Sequence, residues 1–393
     1  MSAKVVYLDN NATTRVAPEV VEEMNPFLTE FYGNPSSMHS FGGNVAHEIT
    51  RARERVAALF NCSPDEIVFT ASGSEGDNHA IRGTLEAYPD KKHIITTRVE
   101  HPAVLNTCQY YARKGYHLTM LPVDRKGRLN PQDLRDAITD ETAVVSIMYA
   151  NNEIGNVYPV RELAHICKEK GVVFHTDAVQ VAGKLSLDTH DIAADLISIS
   201  GHKLHAPKGI GALYIRRGTR VRPLVIGGHQ ENGRRAGTEN VPYIVALGRA
   251  AELAMKNIAA ETRSVAVLRD KLESGLLAKI KNSEVNGDTE NRLPNTSNIS
   301  FEFVEGEAIL LLLNERGICA SSGSACTSGS LEPSHVLRAM GVPFTRVHGS
   351  VRFSLSRYTT EDEIDFTIQA VPPIIARLMS ISPYSDTRPP ITA

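Results

Sequence analysis

From about residue 40 to residue 215, short β-rich runs alternate with stretches of helical periodicity. No other feature constrains the fold of this chain so tightly. The strand candidates are "EIVFT" (66–70), "HIITT" (93–97), "HLTMLPV" (117–123), "TAVVSIMYA" (142–150), "VVFHTDA" (172–178), "LISIS" (196–200) and "GALYIR" (211–216). Between them apolar residues recur one helical turn apart; Val45, Ile49, Ala52, Val56 and Leu59 follow the spacing i, +4, +3, +4, +3. Such alternation predicts an α/β fold, a mostly parallel seven-stranded sheet covered by helices on both faces. A long helical stretch over 241–282 contains no strand pattern. The remainder reads as a smaller α+β unit, with "SNISFEF" (297–303), a helix over 305–316, "SVRFSLS" (350–356) and a final helix. At 393 residues the chain is too long for one small core. The expected division is a large domain over 14–260, with 1–13 and 261–393 forming a small one.

Composition removes several classes of function. With 42% hydrophobic and 22% charged residues the chain is expected to be globular, and a net charge of −3 offers no general attraction to nucleic acid. The first residues, "MSAKVVYLDN", lack the apolar core of a signal peptide, and the longest strongly apolar run, "AILLLL" (308–313), is far short of a membrane span. A soluble, cytoplasmic protein with no nucleic-acid or membrane partner is expected. The five cysteines are odd in number and form no C-x-x-C pair, which argues against a zinc ribbon or a disulfide framework. Cys108 and Cys167 fall within apolar helical patterns and read as small core residues.

In a parallel sheet of this kind, ligands bind beyond the carboxyl ends of the strands. There the distinctive polar residues lie: "TASGSEGDN" after the first strand, "VEHPAV" after the second, "NNEIG" after the fourth, Asp177 and Gln180 after the fifth, and Ser200, His202 and Lys203 after the sixth. A glycine-containing turn at Gly73-Ser74 opens a helix, which makes either an anion site or a plain helix cap. It is not a P-loop. His202 and His205 are spaced as a metal pair, but no third ligand stands nearby. Asp177 and Lys203 together fit another chemistry. A carboxylate can keep a pyridine nitrogen protonated, and a partly desolvated lysine can form an imine with an aldehyde, as pyridoxal phosphate enzymes require. The bland alternative for Lys203 is a solvated lysine preceding a glycine-rich loop.

Nine ordered motifs decide between these readings. "YLDNNATT" (7–14), "GNPSSMHSFG" (33–42), "EHPAV" (100–104), "NNEIG" (151–155), "HTDAVQ" (175–180), "SGHKLHAPKGIG" (200–211), "GGHQENGRRAGTENV" (227–241), "SSGSACTSGSLEPSHVLRAMG" (321–341) and "VRFSLSRYTTEDEID" (351–365) resemble the NifS-type cysteine desulfurases. The resemblance implies the fold-type I aminotransferase architecture, a homodimer and pyridoxal 5'-phosphate as cofactor. By position, Lys203 would carry the cofactor and move protons, Asp177 would face the pyridine nitrogen, and Asn152 and Gln180 the ring oxygen. His101 would stack on the ring and act as acid/base toward the substrate thiol. Gly73, Ser74, Ser200 and His202 would hold the phosphate, joined by Thr238 of the second subunit. Ser74 stands where many relatives have Thr, and the hydroxyl is kept. Arg352 would clamp the substrate carboxylate, with Asn152 beside it.

Cys326 lies in "SSGSACTSGS", a small-residue stretch that alone would pass for a linker. In the resembled family this loop carries the nucleophile that takes sulfur from L-cysteine as a persulfide. Cys326 would then pass it to an iron–sulfur scaffold protein of the NifU-like kind, and a transient iron–sulfur cluster shared with that scaffold would make Cys326 a metal ligand. Cys319 reads as a packing residue. "RRAGTENV" and "HGSVRFSLSRYTTEDEID" resemble the nitrogen-fixation branch more than the housekeeping one, which points to nitrogenase maturation. A housekeeping desulfurase, selenocysteine cleavage and transamination are the enzymatic alternatives; transamination needs no such thiol. A non-catalytic sulfur carrier would need neither Lys203 nor Asp177.

Overall fold

The computed structural model describes residues 5–322 and 333–384. Its strands are β1 (Val6–Tyr7), β2 (Ile67–Thr70), β3 (His93–Thr97), β4 (His117–Leu121), β5 (Thr142–Ser146), β6 (Val173–Asp177), β7 (Leu196–Ser200), β8 (Gly211–Ile215), β9 (Ser283–Val285), β10 (Thr296–Phe301), β11 (Ile318–Cys319) and β12 (Ser350–Ser354). Strands β2 to β8 form one sheet in the order β2-β8-β7-β6-β5-β3-β4. The pairs from β7 through β6, β5 and β3 to β4 are parallel, while β8 runs antiparallel to both β7 and β2. All seven strands expected from the alternation are present. The inner strands β5, β6 and β7 are buried throughout, which is why they read as continuous apolar runs rather than alternating ones.

The helix Ser40–Phe60 buries Val45, Ile49, Ala52, Val56 and Leu59, the stripe read from the sequence. It packs on the long helix Val241–Lys279 at close range: a Cβ at Gly248 would lie 2.7 Å from Ala52 Cα, so only glycine allows this approach. Cys108 and Cys167 are fully buried in helices, as expected.

A second set of sheets is built from the chain ends. Strands β12, β10 and β9 form an antiparallel sheet, and β1 pairs in parallel with β11, joining Val6 to Ile318 and Tyr7 to Cys319. Their apolar cluster takes Val6, Leu8, Val265, Leu272, Phe301, Ile309, Phe353 and Ile368, among others, and is separate from the cluster under the seven-stranded sheet. Residues Leu293, Val336, Leu337, Met340 and Val347 join the larger cluster instead. Among the described residues, one helix, Glu361–Ile381, has the length and hydropathy of a membrane span. It buries Ile364, Ile368, Val371, Ile374 and Ile375 in the second cluster.

Candidate active site

Five strands of the large sheet deliver polar groups at their carboxyl ends, and these converge on one cavity of about 350 Å3. Its walls include Gly73, Ser74, His101, Asn152, Asp177, Gln180, Ser200, His202, Lys203 and Arg352. Ten expected site residues therefore share one space, which is within the usual size range of a small-molecule site.

Lys203 closes a single 3-10 turn, Gly201–Lys203, that directly follows β7. Its Nζ donates to the carbonyl oxygens of Asn11 at 2.5 Å and Ala12 at 2.7 Å. The lysine is thus held in the site rather than solvated. Asp177 ends β6; its Oδ1 accepts from Val179 N at 2.9 Å. Burial pushes its carboxyl above the usual carboxylate range, opposed by the Val179 hydrogen bond and the charge of Lys203. A cationic ring nitrogen placed beside it would reverse that shift.

Ser72 caps the helix Gly73–Ala87 by accepting from Glu75 N at 3.1 Å. The first-turn amides of such a helix have no intrahelical partner and present the positive end of its dipole. A Cβ at Gly73 would fall 2.5 Å from Val179 Cγ2 and 3.3 Å from Ser200 Cβ, so glycine lets the turn lie close against the neighbouring strand ends. The helix cap and the expected anion site therefore use the same turn. Ser74 and Ser200 line the same cavity.

His101 caps the helix Pro102–Ala112, with its Nδ1 accepting from Ala103 N at 3.1 Å. That bond leaves the proton of the neutral ring on Nε2. Burial, with the charges of Lys203 and His335, lowers its pKa to about 4. His202 is lowered to about 4 for the same leading reason, and its Nδ1 lies 3.1 Å from Thr13 Oγ1. The His101 ring is expected to show no protonation shift by NMR between pH 8 and 5.5; a midpoint above 6 would contradict this environment.

Arg352, from β12, is 2% exposed. Its Nη1 donates to Asn152 O at 2.7 Å and its Nη2 to Asp9 Oδ1 at 2.8 Å, while Nε is buried without a partner. Gln180 donates from Nε2 to Asn11 O at 3.0 Å, leaving its buried Oε1 unpaired. These two unspent polar groups, a cation and an amide oxygen, line a cavity that also holds the Lys203 amine, the Asp177 carboxylate and the helix start at Gly73. The set suits a ligand bearing a phosphate, a ring nitrogen and a ring oxygen, joined by an amino-acid carboxylate.

Two expected residues stand apart. Thr238 is exposed and is not part of the cavity wall, and Cys326 lies outside the described residues. Among the described residues, no group of three or more His, Cys, Asp or Glu could hold a metal. Residues Asn11, Ala12, Asp77, Met148 and Ala150 also line the cavity and received no role from the sequence. "YLDNNATT" was the available signal for the first two.

Residues 6–366 match the family model for class-V aminotransferases. The chain belongs to the class-V aminotransferase family. A cysteine desulfurase of Trichormus azollae is 60% identical over 382 residues, 97% of this chain and 96% of the relative. The cysteine desulfurase NifS of Azotobacter vinelandii is 57% identical over 387 residues, covering 98% and 96%. A solved NifS-like protein superposes with a TM-score of 0.90 at 40% identity, covering 95% of this chain and all of the other. The fold is therefore that of the fold-type I pyridoxal phosphate enzymes, and the cofactor of this family member is pyridoxal 5'-phosphate.

Proposed function

We propose that the cavity is where sulfur is removed from L-cysteine, giving L-alanine and a persulfide on Cys326. The chain is a cysteine desulfurase. The observation that carries the residue assignments is the convergence of Lys203, Asp177, the Gly73 turn and Arg352 on one enclosed space.

Bound pyridoxal 5'-phosphate supplies an electron sink for charge developing at the substrate Cα. The chain's own residues do the rest. Lys203 holds the cofactor covalently and moves a proton to and from Cα. Asp177 keeps the ring nitrogen protonated, and Gln180 with Asn152 faces the ring oxygen. Gly73, Ser74, Ser200 and His202 bind the phosphate, completed by Thr238 of a second subunit in a homodimer. The exposed position of Thr238 supports that assignment. His101 covers the ring and exchanges a proton at the substrate sulfur. The Cys326 thiolate forms an S–S bond to that sulfur as the Cβ–S bond breaks. The electron pair stays with the substrate carbon, which a proton then converts to the methyl of alanine.

Sulfur then passes to an iron–sulfur scaffold protein of the NifU-like kind, with a cluster held transiently at Cys326 during delivery. Nitrogenase maturation is the favoured use, since the motifs at 234–241 and 348–365 resemble that branch. A reducing cytoplasm suits a persulfide carrier. Two domains, 14–260 and 1–13 with 261–393, fit an apolar cluster around Val6, Leu8, Phe301 and Phe353 that is separate from the two clusters holding residues of the seven-stranded sheet.

Arg352 reads the substrate carboxylate with a planar fork that lysine cannot reproduce. Arg352→Lys is expected to raise KM for L-cysteine roughly tenfold to a hundredfold, the equivalent of about 1.5–3 kcal/mol for a hydrogen bond to a charged group. Its cofactor spectrum should match the parent's. Kinetics of alanine formation, with visible-spectrum titration by L-cysteine, make the test; parent-like affinity would remove Arg352 from the site.

A further inference from the structure

The segment "YLDNNATT" (7–14) takes no part in the chemistry above, yet it runs along the cavity wall. Asn11 O accepts from both Gln180 Nε2 and Lys203 Nζ, and Asn11 Nδ2 donates to Asn152 O at 3.1 Å and to Thr296 Oγ1 at 2.9 Å. Two residues earlier, Asp9 forms a parallel bridge with Ser354 at the end of β12. This places its carboxylate against the guanidinium of Arg352, with Oδ1 2.8 Å from Nη2.

A guanidinium this deeply buried is costly without a counter-charge. Among the described residues, Asp9 is the one carboxylate within ion-pair distance of it. The hydrogen-bond geometry adds more than charge. Arginine has five N–H groups. Asp9 takes one on Nη2 and Asn152 O takes one on Nη1, so two anchors on different nitrogens fix the plane of the fork. Three N–H groups stay available: the buried, unpaired one on Nε and one on each terminal nitrogen. A side chain fixed at two points presents the remaining donors in a single orientation, which a bidentate grip on a carboxylate requires.

We propose that Asp9 is a positioning residue for substrate recognition: it orients Arg352 so that the free donors of the guanidinium meet the carboxylate of an α-amino acid. This rests on the reading of Arg352 as the carboxylate clamp. Asp9 acts only through Arg352, so its effect depends on the ligand's carboxylate and is indifferent to its thiol. L-cysteine, which has both, and the product L-alanine, which lacks the thiol, should respond equally. Cysteamine, an amine with a thiol and no carboxylate, should not respond.

The experiment uses the cofactor-loaded protein and three ligands, with binding followed by the visible spectrum and turnover by alanine release. Asp9→Ala is expected to raise KM for L-cysteine about tenfold or more with kcat within about threefold, to weaken L-alanine by the same factor, and to leave cysteamine unchanged. Asp9→Asn keeps an acceptor oxygen at the same place and loses the charge, so a smaller loss with the same ligand pattern is expected. Should Asp9→Ala fail to fold, the ratio of L-alanine to cysteamine affinity in Asp9→Asn carries the test. The proposal is overturned if that ratio stays at the parent value while Arg352→Lys weakens L-alanine, or if cysteamine weakens as much as the carboxylates, which marks a general structural loss. If Arg352→Lys also leaves L-alanine unaffected, the clamp itself falls, and the role of Asp9 with it.

Discussion

Lys203→Ala is expected to lower alanine formation from L-cysteine at least about a thousandfold, because one change removes both the covalent tether and the group that moves protons at Cα. Cofactor should still bind reversibly through the cradle at Gly73, Ser74 and Ser200. Borohydride reduction of the parent followed by peptide mapping should place the label on Lys203. The informative rival is Lys184. Its Nζ donates to Gln180 O at 3.0 Å, and burial, with the charge of Lys203, lowers its pKa to about 7. It is thus a second amine near the site that is partly neutral at physiological pH. Label found on Lys184 would overturn the assignment.

Cys326→Ser is expected to leave the cofactor spectrum and its response to L-cysteine intact, while alanine and sulfide formation fall at least about a hundredfold. The described cysteines offer no substitute. Burial pushes the Cys62 and Cys108 thiols up to about 12, Cys167 goes higher still, and Cys319, half-buried on β11, is raised by burial and by Asp9. A thiol with a raised pKa is a poor nucleophile at neutral pH. Mass spectrometry of the parent after one turnover should find the extra sulfur on Cys326; persulfide on Cys319 would refute the assignment.

The large sheet was legible because its signals are local. Buried parallel strands show as apolar runs, and the helix over Ser40–Phe60 shows its period in five residues. The site residues at strand ends were legible for a related reason, since each is a polar residue standing where an apolar run stops. Strands β1, β9 and β11 were not anticipated: they have two, three and two residues, too short for any period to emerge. The same holds for Asp9 and Asn11. Their roles depend on Arg352 and Thr296, more than 280 positions away, and nothing in the residues around them announces such partners. Cys319 is half-buried on β11, beside β1.

The pairing of β1 with β11, and of Asp9 with Ser354, also sets an order of assembly. During synthesis the residues of the seven-stranded sheet, 67–215, emerge while the first segment of the chain still has no strand to join. Leu8 N must wait for Cys319 O, and Ser354 N for Leu8 O. Contacts of such long range form late, because loop closure is needed before they bring any gain. The pairing that seats Leu8 and Asp9 beside Ser354 and Arg352 can therefore close only near the end of translation. A nascent chain holding Lys203, Asp177 and the Gly73 turn already has the parts that grip a reactive aldehyde, yet it lacks the arginine and the brace that choose an amino acid. Selectivity is the last property the growing chain acquires.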